Sequence, residues 1–128
     1  MRRSKRLAKL AAQAAAEKKA FDIQILDISN LLVITDYFVI CSGTNIRQVR
    51  TISDFIREKL AKEKIRPLSV QGEREAKWVL LDYIDFVVHV FLEKEREYYQ
   101  LERLWKDAPL VEWEEEVPAS KRGAKRSP

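Results

Sequence analysis

The sequence predicts a single α/β domain, a mixed sheet of about five strands packed with α-helices. Three observations carry that expectation. Residues 78–91, WVLLDYIDFVVHVF, alternate strictly and read as an antiparallel hairpin. Residues 35–71 pass from an aromatic and β-branched stretch through an amphipathic helix to a short strand, the pattern of a right-handed parallel crossover. Apolar residues at helical spacing precede and follow this region, supplying helices to cover the sheet. A hairpin and a crossover in one sheet make it mixed. At 128 residues the chain is one domain by size, large enough to bury a core without disulfides.

The elements follow in order. MRRSKRLAKLAAQAAAEKK (1–19) is Ala-rich, lacks Pro and Gly, and places Leu7, Leu10, Ala11 and Ala14 on one face, so a helix is expected from about Ser4 to Lys19. Its acid-poor, Arg-containing start has features of a transit peptide, but with little Ser and a periodicity that runs on into the domain. FDIQILDIS (21–29), alternating around Ile23, Ile25 and Ile28, and TDYFVICSG (35–43) read as strands separated by a turn at Ser29-Asn30. Thr44 is placed to cap a helix beginning at Asn45, with Ile46, Val49, Ile52, Phe55, Ile56 and Leu60 on one stripe. Arg47, Arg50 and Arg57 fall off that stripe, as on a solvated helix surface. Pro67 ends the helical region, PLSVQ is a short strand, and Gly72 opens the charged loop EREAK before the hairpin. Residues 94–105 form a last helix with Tyr98, Leu101, Leu104 and Trp105 apolar. The organisation expected is a basic N-terminal helix (1–20), a domain (21–108) and a disordered charged tail (109–128).

The hairpin carries the functional signal. A turn at Ile84-Asp85 sets Tyr83 opposite Phe86, Asp82 opposite Val87 and Leu80 opposite His89. One face, Val79, Leu81, Tyr83, Phe86, Val88 and Val90, is apolar throughout and must lie against helices. The other, Trp78, Leu80, Asp82, Val87, His89 and Phe91, joins a large aromatic to one carboxylate and one imidazole, which suits a protein-binding surface. Left exposed, Trp78, Leu80 and Phe91 would favour a homodimer in the free protein. A diagonal hydrogen bond between Asp82 and His89 is within reach.

Charge and composition narrow the chemistry. Residues 1–20 hold seven Lys/Arg against Glu17, residues 121–128 hold four and no acid, and the net charge is +4, so residues 21–120 carry 4 − 10 = −6. An acidic body with basic ends favours a cationic partner for the domain, with weak, salt-sensitive contacts to RNA through the termini. A lone Cys41 implies a reducing compartment, here the cytoplasm, and no apolar run approaches the ~20 residues of a membrane span. Cys41 and His89, each the single residue of its type, are the sharpest nucleophile pair available, but Cys41 sits in a core strand without an orienting group or oxyanion loop. SGTN (42–45) has one glycine and no following Lys, too little for a phosphate loop. No catalytic residue, metal ligand or cofactor is assigned, and the expectation is a protein that is not an enzyme.

KKAFDIQILDIS, TDYFVICSGT, GEREAKWVLLDYIDFVVHVF and EREYYQLERLW, in that order over roughly residues 18–108, resemble the signature blocks of the ribosomal silencing factor (Iojap) family. The resemblance implies a mixed-sheet fold of nucleotidyltransferase-like topology without the acidic catalytic pair. It implies a translational repressor that docks on the large ribosomal subunit through the large-subunit protein numbered fourteen and sterically blocks joining of the small subunit. Organellar relatives imply a second reading as a large-subunit assembly factor; a nucleotidyltransferase-like enzyme is a third. Carried onto this chain, the partner-binding residues are Trp78, Leu80 on the same strand, Asp82 and Tyr99; the chain's own acidic helix residues Glu93, Glu95, Glu97 and Glu102 would meet Lys and Arg on the partner. Two positions depart from the family pattern: Ile84-Asp85 replaces Gly-Asp at the turn, where a β-branched residue at positive φ is disfavoured, and Gln48 replaces a His.

Overall fold

The computed structural model describes residues 2–114. Its elements are α1 (Arg2–Glu17), β1 (Phe21–Asp27), β2 (Tyr37–Gly43), α2 (Ile46–Lys62), β3 (Ser69–Gln71), β4 (Trp78–Asp82), β5 (Phe86–Leu92), α3 (Glu93–Tyr99) and α4 (Leu101–Leu104). The five strands form one sheet in the order β1-β2-β5-β4-β3. β2 and β5 are parallel and the other neighbouring pairs antiparallel, so the sheet is mixed as predicted. β2 and β3 therefore run the same way, with β5 and β4 inserted between them. Among the described residues no helix is long and apolar enough to cross a membrane.

The two faces of the sheet bury different partners. Val79, Leu81, Tyr83, Phe86, Val88 and Val90 meet α1 and α2 in the main core, where burying each aliphatic side chain is worth about 1.5–3 kcal/mol. α1 is part of this core: Leu7, Ala8, Ala11, Ala12, Ala14 and Ala15 are buried, and the small residues let the helix lie close to α2 and the sheet. Asn45, one residue beyond the Thr44 expected, caps α2 by accepting from Gln48 N at 2.8 Å. Gln48 also donates through Nε2 to the carbonyls of Lys18 (3.1 Å) and Lys19 (3.0 Å), satisfying groups that the end of α1 leaves open. Arg50 donates to the carbonyl of Arg74 at 2.6 Å and Arg57 pairs with Glu73 at 2.9 Å, so only Arg47 of the three off-stripe arginines stands free of a described partner.

The opposite face corrects three expectations. Residues 94–105 are not one helix, because Gln100 adopts φ 48° and separates α3 from α4. That break turns Leu101, Trp105 and Ala108 back onto the sheet, where they join Leu26, Ile28, Phe38, Ile40, Val87 and Phe91 in a second, smaller core. Phe91 is consequently 0 % exposed and is no part of a free surface. Residues 109–114, assigned to a disordered tail by the sequence, lie along β1: Asp27 N donates to Pro109 O (2.8 Å), Val111 N to Ile25 O (2.9 Å), and Trp113 Nε1 to Ile23 O (3.3 Å). Residues 115–128 of the expected tail lie outside the described residues.

Candidate protein-docking site

β4 and β5 pair in the register that the alternation predicts, with Leu80 opposite His89 and Asp82 opposite Val87. The turn between them is tighter than a type I′ turn. Ile84 alone has positive φ (73°), Asp85 N donates to Tyr83 O at 2.8 Å, and Tyr83 N donates to Phe86 O at 3.0 Å. This is a three-residue turn centred on a strained β-branched residue. Asp82 Oδ1 accepts from Ile84 N at 2.8 Å and helps hold it. The start of β4 is fixed from the other side by Gly72, whose φ of +77° and contact with the Trp78 carbonyl leave no room for a side chain.

Trp78 is half-buried at the centre of an aromatic cluster. Its ring stacks 4.7 Å from Phe91 and lies 4.9 Å from Tyr99, and its Nε1 donates to His89 Nδ1 at 3.1 Å. The bond makes Nδ1 the acceptor of a neutral imidazole, and burial pushes the His89 pKa down to about 3, far below its ordinary value. His89 thus bonds Trp78, not Asp82 as the diagonal geometry suggested. Its Nε2 is buried without a described partner.

The four predicted partner-binding residues come together. Trp78, Leu80 and Asp82 alternate on the outer side of β4, all partly exposed, and exposed Tyr99 closes against Trp78 from α3. Tyr98, packed edge-on against Tyr99 at 4.9 Å and 80 % exposed, extends the surface. Tyr98 and Leu104, counted among the apolar residues of the single helix expected over 94–105, are both exposed. The acidic flank is thinner than expected, because Glu102 is bound to Arg96 Nε at 3.2 Å. Arg96 is buried and also donates to Ser42 Oγ at 2.8 Å, pinning α3 to β2. No periodicity announces that arrangement.

The Cys41–His89 pair is excluded by the sheet itself. Ile40, not Cys41, lies opposite His89, so the thiol faces the main core and the imidazole the second core. Burial pushes the thiol up to about 12, only partly offset by Arg96, which keeps it protonated and unreactive.

Fold and site define a class: a mixed-sheet α/β domain that carries on β4 and α3 a partly exposed surface, part aromatic, part aliphatic and part acidic. The particular family follows from comparison with known proteins. The model of the family described as "Ribosomal silencing factor during starvation" matches residues 1–128, and the chain belongs to that family. It is 44 % identical over 108 residues to the ribosomal silencing factor RsfS of Bacillus subtilis, covering 84 % of this chain and 92 % of the relative. Similarity extends to the chloroplastic protein Iojap of Zea mays, at 33 % identity over 79 % of this chain and 44 % of that protein. A crystal structure of a Chromobacterium violaceum protein superposes with a TM-score of 0.76 at 31 % identity, covering 88 % of this chain and 89 % of the other.

Proposed function

We propose that this chain is a non-enzymatic translational repressor of the cytoplasm that binds the large ribosomal subunit and blocks joining of the small one. The partner is the basic large-subunit ribosomal protein numbered fourteen, at the intersubunit face. The observation that carries the reading is the surface formed by Trp78, Leu80, Asp82 and Tyr99 in a chain that belongs to the silencing-factor family. Trp78 and Leu80 supply apolar contact, Tyr99 closes the rim with its hydroxyl, and Asp82, with exposed Glu93 and Glu97, offers negative charge to Lys and Arg. Basic termini add weak contacts to ribosomal RNA. The same surface, without Phe91, is shared with a second copy in a free homodimer. A large-subunit assembly role is the second reading, favoured by 30 % identity to a mouse protein named for mitochondrial assembly of the ribosomal large subunit.

Co-sedimentation with isolated subunits tests the proposal, together with light scattering of subunit joining. Binding to large subunits alone, with joining suppressed in proportion to occupancy, is expected. Binding to small subunits, or occupancy of large subunits that leaves joining intact, overturns the repressor reading.

A further inference from the structure

A second apolar surface lies at one end of the sheet, beyond the β4 face. Leu31, Leu32, Val33 and Ile34 form the connection from β1 to β2, Ile84 tops the β4–β5 turn, and Leu68 leads into β3; all six are exposed, Val33 at 101 % and Ile34 at 72 %. These segments are stitched together. Thr35 Oγ1 donates to Ile84 O at 3.1 Å, Asp36 N to Asp85 O at 2.8 Å, and Leu68 N to Asp82 O at 2.6 Å. The loop is also held from within, since Ile28 O accepts from both Leu31 N and Leu32 N at 2.9 Å and the Ile28 side chain is fully buried. An ordered loop therefore presents four consecutive aliphatic residues to water, an arrangement that marks a contact surface.

Two features say what covers it. Asp82 and Asp85 border Ile84, and among the described residues neither is held in a salt bridge. The patch is also continuous with the β4 face, because β4 runs from Trp78 to Asp82, a length of about 13 Å. We infer that the sheet end is a second half of the docking surface and takes an apolar spot ringed by Lys and Arg on the same basic protein. This inference rests on the proposed reading of the β4 face. Arg3 and Lys5 stand on the α1 side of the patch, where Ser4 Oγ lies 3.4 Å from Asp36 Oδ2, and would suit an anionic lipid surface. Asp82 and Asp85 would meet the headgroups of such a surface with like charge, which favours the protein.

The test compares full-length wild type, the double variant Val33→Ser with Ile34→Ser, and Tyr99→Ala, titrated against isolated large ribosomal subunits. The serine pair should bind about tenfold more weakly with an unchanged thermal midpoint, since both side chains are in water in the free protein. If Tyr99→Ala weakens binding and the serine pair does not, the sheet end is no docking surface and the β4 face stands. If wild type does not bind large subunits at all, the reading of the β4 face falls, and this inference with it. Vesicles of phosphatidylglycerol and phosphatidylcholine provide a separate arm. Vesicle binding lost in the serine pair while subunit binding persists overturns the inference in favour of lipid. A dimer that dissociates in the serine pair with subunit binding intact overturns it in favour of a second copy of the chain.

Discussion

Replacing Trp78 by Phe keeps an aromatic ring over Phe91 and Tyr99 but removes the donor to His89 Nδ1. His89 is already buried with an unpartnered Nε2. The variant leaves both ring nitrogens without a partner in either neutral tautomer. A buried polar atom stripped of its hydrogen bond costs about 1–3 kcal/mol, which corresponds to a drop in thermal midpoint of about 4–12 °C for a domain of this size. Adding His89→Leu removes the stranded imidazole and should restore about half of that loss, since replacing both partners by apolar groups is close to neutral. Urea and thermal denaturation of wild type, both single variants and the double variant close the cycle, with a coupling of about 1–2 kcal/mol expected. A Trp78→Phe variant that loses less than about 0.5 kcal/mol, or single effects that simply add, would refute the claim that the indole–imidazole bond holds the aromatic cluster in place.

Other expectations follow from the same geometry. Ile84→Gly should raise stability by about 1 kcal/mol in denaturant titrations, by relieving positive φ at a β-branched residue, while weakening large-subunit binding through loss of the exposed side chain. Asp82→Asn keeps the acceptor for Ile84 N and removes the charge, so binding should weaken, with slower association, at unchanged stability; Asp82→Lys should lose stability as well, because the turn loses its acceptor. His89 has a folded pKa of about 3 against an ordinary 6.5, so its contribution to stability is fully present above pH 6.5 and is lost as pH falls toward 3. Between pH 6.5 and about 5 the loss should approach about 2 kcal/mol, measured as the change in unfolding free energy, and should vanish in His89→Asn.

The hairpin was legible because its alternation leaves one register that buries Val79, Leu81, Val88 and Val90 together; a slip by one residue would expose all of them. The helix α1 was legible from its Ala-rich, helically spaced start, but its burial inside the main core, rather than as a basic helix outside the domain, was not, because it depends on α2 and the sheet supplying a close-packed surface. The break at Gln100 was not legible. A left-handed residue is signalled by Gly or Asn, and Gln carries no such mark. With that omission go the wrongly exposed Phe91 and the missed clamp of Arg96 on Ser42 and Glu102. The run Leu31–Ile34 was missed, although four consecutive apolar residues next to a turn were the signal that could have found it. That Trp78, Leu80 and Asp82 share one face was legible from the alternation of β4, whereas Tyr99 entered only through the family resemblance and no sequence pattern signalled its packing on Trp78.

Side-chain oxidation footprinting of Trp78 and Tyr99 tests the central claim most directly, with the chain free, mixed with small subunits, and bound to large subunits. Trp113, which lies against β1 on another part of the molecule, is the internal reference. Large subunits should protect Trp78 and Tyr99 and leave Trp113 unchanged, and small subunits should protect none of the three. Undiminished oxidation of Trp78 and Tyr99 in the complex with large subunits would contradict the account.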